Sequence, residues 1–154
     1  MPRQKITTFL WYDNNAVEAV NFYVSLFKDS RINKLVPGPG GSVMVVDFTL
    51  AGVDYIALNG GSHYKLTEAV SLSVDCVDQA EIDELWDKLS EGGSKSQCGW
   101  LKDRFGLSWQ IVPSILGKLM SDPDPVRSGR VMGALMQMSK IEIAALEAAQ
   151  AGTP

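Results

Sequence analysis

The sequence predicts an α+β fold in which two βαβββ modules form a cupped mixed sheet, with extra C-terminal helices. Two observations predict this fold: the chain carries the same strand-and-helix pattern twice, and each copy is followed by further extended segments. A pattern that recurs within one chain is typical of a duplicated structural module. Because each module has one apolar sheet face, two modules can close into one curved sheet with a ligand site in the hollow.

The first copy begins with a strand pattern from Ile6 to Tyr12 and continues as a helix that we predict from Asn15 to Phe27. Asn15, with Glu18 three residues later, has the form of a capping box at the start of this helix. The apolar residues then recur at helical spacing, at Val17, Val20, Val24 and Phe27. This spacing predicts one apolar helix face that packs on the sheet.

The second copy repeats this order. A strand pattern from Ala69 to Val74 precedes a helix that we predict from Asp78 to Leu89. Asp78 and Glu81 form the expected cap, and Gly92-Gly93 ends the helix. The apolar face of this helix consists of Ile82, Leu85, Trp86 and Leu89.

Extended segments follow each helix. In the first module, Ser42 to Leu50 and Val53 to Asn59 are joined by Ala51-Gly52, which predicts a hairpin, and a further strand is predicted around Ser30 to Leu35. In the second module, a short segment from Gln97 to Leu101 and a stronger strand from Leu107 to Pro113 are separated by a turn at residues 102–106. Both modules are therefore built from one helix and several strands.

Several segments resemble the PhnB-like branch of the vicinal oxygen chelate superfamily. They are Phe9 to Ala16 leading to Asn21-Phe22-Tyr23, Ala57 to Gly61, and Gln97 to Pro113. The superfamily also holds glyoxalase I, extradiol dioxygenases and bleomycin-resistance proteins. Members of this branch often carry the label 3-demethylubiquinone-9 3-methyltransferase-like. The resemblance covers about Ile6 to Ala149 and implies a glyoxalase-like fold. We expect a single domain, 1–154, with module one at about 5–61, module two at about 67–113 and a helical extension at about 114–150.

Composition indicates an ordinary globular chain. Of its 154 residues, 45% are hydrophobic and 21% are charged, and no apolar run approaches the roughly 20 residues needed to cross a bilayer. We expect no membrane partner and a cytoplasmic location, with Cys76 and Cys98 unpaired. The net charge of -4 and the absence of a basic stripe argue against nucleic-acid binding.

In the metal enzymes of the superfamily, a His on the first strand of each module and a Glu near the end of each module typically meet on one divalent ion. The resemblance places Thr8, Asn59, Ala69 and Gln110 at these positions. None of them is a good ligand, because such ions are held by imidazole and carboxylate groups. The only histidine, His63, lies in a predicted exposed loop. We therefore expect no metal ion and no other cofactor.

We predict instead a cavity that binds a small molecule. Its expected lining is Thr8, Tyr12, Asn59, Ser71, Ser73, Trp100 and Gln110. Strand alternation places Thr8 and Tyr12 on one face of the first strand of module one, and Ser71 and Ser73 on one face of the first strand of module two. The resemblance adds Trp100, because the loop of the superfamily at this position borders the cup. A polar but uncharged lining suits a neutral ligand with carbonyl or hydroxyl groups. The alternative is that these polar residues simply face solvent.

Two classes of function remain open. The first is a binding protein without bond chemistry, and the second is a metal-independent enzyme in which Tyr12, Asn59 or Gln110 polarises a carbonyl or quinone-like substrate. An S-adenosylmethionine methyltransferase is disfavoured, because the first strand is not followed by a glycine-rich turn and the strand order is not doubly wound. Cys98 is interpreted as a packed thiol, and Gly38 to Ser42 as a turn and not a phosphate loop.

The C-terminal third departs from the two modules. Short helices are predicted at about 115–120, 126–138 and 141–149, separated by a proline-containing turn after the first. Their methionines are either plain core packing or a surface for a partner subunit. Because the cup has an open edge and these helices are apolar, we expect a homodimer.

Overall fold

The computed structural model describes residues 4–153. It contains two compact units, the first ending at Leu66 and the second beginning at Thr67. Each unit holds one four-stranded mixed sheet. The predicted α+β fold with two βαβββ modules is therefore confirmed, and the strands are hydrogen-bonded as two sheets, one in each unit.

The first unit contains four strands and one principal helix. They are β1 (Thr8–Tyr12), α1 (Ala16–Leu26), β2 (Arg31–Pro37), β3 (Val43–Leu50) and β4 (Val53–Asn59). The spatial order is β1-β4-β3-β2, with β1 parallel to β4 and the other pairs antiparallel. The predicted hairpin at Ala51-Gly52 is confirmed: these residues have φ of 50° and 82°, as a tight hairpin turn requires. Residues 39–41 form a short turn, as expected.

The second unit repeats this arrangement and continues into the extension. Its elements are β5 (Ser71–Cys76), α2 (Gln79–Ser90), β6 (Ser94–Lys95), β7 (Trp100–Lys102), β8 (Ser108–Pro113), α3 (Leu116–Met120), α4 (Pro125–Leu135) and α5 (Ile143–Ala151). The order is β5-β8-β7-β6, and β5 is parallel to β8. Strand β6 was not predicted, because two residues after a glycine pair carry no alternation.

The N-terminus of α2 is capped as predicted. The backbone N–H of Glu81 donates to Asp78 Oδ1 at 2.9 Å, and the Glu81 carboxylate accepts from the N–H of Val77 at 2.9 Å. Asp78 thereby satisfies an N–H group of the first helical turn, and Glu81 satisfies the N–H of the residue before the cap. The reciprocal pair therefore fixes where α2 begins.

The N-terminus of α1 differs from its prediction. The side chain of Asn15 makes no capping bond. Instead, Asn59 at the end of β4 accepts from the N–H of Ala16 at 2.9 Å and donates to the carbonyl of Val43 at 3.0 Å. The amide of Asn59 thus ties the helix start to two strands. A partner 43 residues away cannot be found from a local capping pattern.

The C-terminal helices pack on one another and on α2. Their core consists of Leu119, Val131, Ile141 and Leu146. Gln79 of α2 donates to the carbonyl of Ile141 and accepts from the N–H of Ile143. The helices therefore belong to the second unit. Along the described chain, no helix combines the length and apolar character that a bilayer crossing demands.

We predict that Asn59→Ala lowers the free energy of unfolding by about 2 kcal/mol. The substitution removes the cap of α1 and also the hydrogen bond from Asn59 to the carbonyl of Val43. Asn15→Ala is the matched control and should cost less than about 0.5 kcal/mol. Urea unfolding of the two variants measures both values. Equal losses in the two variants would contradict the assignment of the cap.

Candidate functional site

Three residues predicted to line the cavity lie on the helix-covered side of the first sheet. Tyr12 is buried, and its hydroxyl lies 3.0 Å from the hydroxyl of Tyr23 in α1. Thr8 shares the face of Tyr12 by strand alternation, and the amide of Asn59 is bonded to the start of α1. Their expected placement is therefore corrected. Alternation identifies two faces of a strand, but it does not say which face the helix covers.

The face of β1 that points away from α1 carries apolar residues that sequence reasoning missed. Phe9 and Trp11 lie on this face of β1, opposite Ile56 and Leu58 of β4, and Phe9 is 59% exposed. The same alternation could have identified them, because Phe9 and Trp11 point to the opposite side of the strand from Thr8 and Tyr12. On β1 this face is apolar, whereas the prediction placed polar side chains there; on β3 it also carries Asp47, opposite Ile56.

The loop after β4 is fixed to Trp11. The indole Nε1 donates to the carbonyl of Gly61 at 2.9 Å, and the ring of Tyr64 meets the indole edge-on at 5.0 Å. A Cβ on Gly60 would lie only 2.4 Å from the indole, so glycine permits this close approach. The histidine of the loop, His63, is exposed as expected.

The predicted residues of the second module share one face of the second sheet. Ser73 of β5 lies opposite Gln110 of β8, which lies opposite Trp100 of β7. Gln110 Nε2 donates to Ser71 Oγ at 3.0 Å. The other face of β8 carries Trp109, which is buried on the α2 side. The side chains of Ser71, Ser73, Gln110 and Trp100 therefore lie on one face of the second sheet.

A pocket of about 550 Å³ opens on the same part of the second unit. Its lining includes Trp100, Lys102, Ser108 and Glu68. The Lys102 ammonium forms an ion pair with the Glu68 carboxylate, and this hydrogen bond lowers the pKa of Glu68. Of the residues predicted to line a cavity, Trp100 alone is among the lining residues of this pocket, which also carries the charged side chains of Lys102 and Glu68. The lysine charge is compensated by Glu68.

Ser108 is the most unusual residue of the pocket. It is 1% exposed, and its Oγ has no hydrogen-bond partner among residues 4–153. A buried hydroxyl without a partner loses the hydrogen bonds that it makes in water. This hydroxyl can therefore serve a bound molecule.

A buried carboxylate positions the strands that form the pocket. Asp103 Oδ1 accepts from the N–H groups of Phe105 and Leu107 at 2.9 and 3.0 Å, and Oδ2 accepts from Trp109 Nε1 at 2.8 Å. These bonds fix the turn between β7 and β8. The sequence predicts this turn, but it does not predict the hydrogen bond between Asp103 and the indole of Trp109.

The C-terminal extension supports the rim of the pocket. The N–H groups of Cys98 and Gly99 donate to the carbonyls of Met138 and Ser139, each at 2.8 Å. The thiol of Cys98 contacts the carbonyl of Leu135 at 3.5 Å, which fits its interpretation as a packing residue. In β5, burial raises the pKa of the Cys76 thiol to about 12, so this thiol stays protonated at neutral pH.

The side chains at the four positions considered for a metal ion, Thr8, Asn59, Ala69 and Gln110, do not fit a divalent cation. Within residues 4–153, no three His, Cys, Asp or Glu side chains are grouped to hold one. On the face of the first sheet that points away from α1, Phe9 and Trp11 of β1 are apolar and Asp47 of β3 is a single carboxylate, and Gln110 offers only a neutral amide. A divalent ion would gain too little in exchange for its water.

Comparison with known proteins identifies a family over most of the chain. The family model described as 3-demethylubiquinone-9 3-methyltransferase matches residues 4–112. The chain is similar to the PhnB protein of Bacillus cereus, with 34% identity and a TM-score of 0.67, covering 71% of this chain and 99% of that one. No curated protein matches the sequence.

More distant structures share the fold alone. Protein PA1353 of Pseudomonas aeruginosa has 21% identity and a TM-score of 0.59, over 72% of this chain and 98% of that one. The fosfomycin resistance protein FosX of Listeria monocytogenes, in complex with Mn(II) and sulfate, has 16% identity and a TM-score of 0.50, over 71% and 90% of the two chains.

We predict that this protein, purified without chelator, carries far less than one equivalent of Zn, Ni or Mn, because the donor set lacks carboxylate and imidazole groups at the relevant positions. Elemental analysis by plasma mass spectrometry measures the content. A stoichiometric amount of any of these metals would contradict this reading of the site.

Proposed function

Because the chain belongs to the family described as 3-demethylubiquinone-9 3-methyltransferase, we propose that it binds a small neutral carbonyl- or quinone-like molecule without a metal ion. The observation that supports this proposal is the polar face of the second sheet beside an open pocket. Ser71, Ser73 and Gln110 offer hydroxyl and amide groups there, and Trp100 offers a flat ring. Such a combination suits a planar ligand with oxygen substituents.

The ion pair between Lys102 and Glu68 favours a neutral ligand beside Lys102. Lys102 is paired with Glu68, so its ammonium does not demand an anionic partner. Carbonyl oxygens accept hydrogen bonds without bringing a charge that must be desolvated. We therefore place the ligand among uncharged carbonyl compounds.

A metal-independent enzyme acting on such a compound is the second candidate. Lys102 lies directly opposite Ser108, and an ammonium beside a hydroxyl can polarise a carbonyl group. The methyltransferase label finds less support. The described sheets contain one parallel pair each, whereas an S-adenosylmethionine site of the common type requires a doubly wound parallel sheet.

We further propose that the chain acts in the cytoplasm as one glyoxalase-like domain. The thiols of Cys76 and Cys98 are both unpaired, which agrees with a reducing compartment.

We predict that Gln110→Leu weakens ligand binding by about tenfold with little change in the unfolding temperature, because it removes a polar group from the uncovered face and leaves the core intact. The ligand is identified by denaturing the purified protein and analysing the released compounds by mass spectrometry. Gln137→Leu is the control, since Gln137 is exposed in the C-terminal extension. Equal ligand recovery from both variants would contradict the role of Gln110.

We also propose a homodimer, in which a second copy covers the exposed apolar side chains of the C-terminal extension. Met132 and Met136 lie one turn apart at the end of α4 and are 42% and 58% exposed. Flexible thioether side chains adapt well to a partner surface.

The dimer has a direct test in sedimentation. We expect a species of about twice the chain mass of 16.8 kDa at micromolar concentration, and a shift toward the single chain in the variant Met132→Lys with Met136→Lys, because charges at a contact oppose association. A single-chain mass for the unaltered protein would rule the dimer out.

A further inference from the structure

The pocket of the second unit contains a hydroxyl that the fold itself does not use. Ser108 is almost fully buried, yet its Oγ has no partner in the described part of the chain. Buried polar groups nearly always have a hydrogen-bond partner. A group that lacks one and borders a pocket is suited to bind a ligand atom.

The neighbour of this hydroxyl across the strands is a cation. Lys102 and Ser108 are paired directly in the β7–β8 register, and side chains that are paired in this way lie about 5 Å apart at Cβ. Trp100, two residues before Lys102, shares the same face. One hydroxyl, one ammonium and one aromatic ring therefore lie together on a single face of the sheet.

The ammonium already has one partner, which limits what else it can accept. Glu68 pairs with Lys102, and the two side chains are 64% and 37% exposed. An ammonium carries three N–H donors, so donors remain for a ligand oxygen. A ligand carboxylate at this point would also face the Glu68 carboxylate, and two like charges so close cannot both remain ionised at low cost.

We propose that Lys102 and Ser108 form a subsite for one carbonyl oxygen of a planar conjugated ligand, and that Glu68 makes this subsite selective for uncharged ligands over anions. The ring system of the ligand lies against Trp100. This inference rests on the proposed function and names the residues that select the ligand within it. Lys95 also lines the pocket, but it pairs with Leu101 and therefore lies on the opposite face of the sheet from Lys102, outside this subsite.

Two matched probes test the selectivity. Methyl chromone-2-carboxylate is a neutral planar conjugated ketone, and the corresponding free acid is present as the chromone-2-carboxylate anion at pH 7. We expect isothermal titration of the full chain to show that the neutral ester binds about tenfold more tightly than the anion. Glu68→Gln should reduce this ratio to one or below, because it removes the negative charge, keeps the shape and leaves Lys102 without a compensating carboxylate.

The control is a second Glu–Lys ion pair that lies away from the pocket. Glu84 pairs with Lys88 on α2, so Glu84→Gln should leave the ratio of the two affinities unchanged. A ratio near one in the unaltered protein, or a ratio that Glu68→Gln does not change, overturns the proposed selectivity.

Ser108→Ala and Lys102→Met test the oxygen subsite itself. Each should weaken binding of the neutral ester by about tenfold. Ser108→Ala should leave the unfolding temperature unchanged or raised, since it removes an unpartnered hydroxyl. A marked fall in that temperature would show that the hydroxyl has a structural partner, and would overturn its assignment to the ligand.

The outcomes separate this inference from the proposed function. If the ester binds but neither variant affects it, the subsite is wrong and the binding function stands. If neither probe binds the unaltered protein, the inference is overturned. The proposed function then falls only if the protein also releases no Gln110-dependent compound on denaturation.

Discussion

The buried carboxylate of Asp103 is the constraint on which the geometry of the second sheet depends. Its two oxygens accept from the backbone N–H groups of Phe105 and Leu107 and from the indole of Trp109. A carboxylate removed from water is stable only when hydrogen bonds replace its hydration. The turn between β7 and β8 is therefore held in one conformation. That turn sets the register of the two strands, and the register brings the polar side chains of the pocket together.

The order of the elements could be predicted from the sequence because each signal is local. Strand alternation, the Asp78 cap of α2 and the Ala51-Gly52 turn all act within a few residues, and the structure contains each of them. The cap of α1 could not be predicted, since Asn59 reaches the helix from another strand. Local patterns therefore predict which elements form, while long-range hydrogen bonds decide how they are joined.

The covered and uncovered faces of the strands were predictable in one module and not in the other. In the second module, alternation correctly grouped Ser71, Ser73 and Gln110, because the apolar residues between them are those that α2 covers. In the first module, apolar residues occur on both faces of β1, so the same argument could not tell which face is covered. Tyr12 was therefore placed on the uncovered face, although its hydroxyl meets Tyr23 of α1. Nor does a sequence show that the hydroxyl of Ser108 is left without a partner.

We propose that a neutral carbonyl compound binds on the polar face of the second sheet. Two-dimensional NMR of the ¹⁵N-labelled protein tests it most directly, because each tryptophan gives one indole signal. With saturating methyl chromone-2-carboxylate, we expect the signal of Trp100 to shift, while that of Trp109, which is bonded to Asp103 on the opposite face, stays in place. A Trp100 signal that does not move under these conditions would contradict the account.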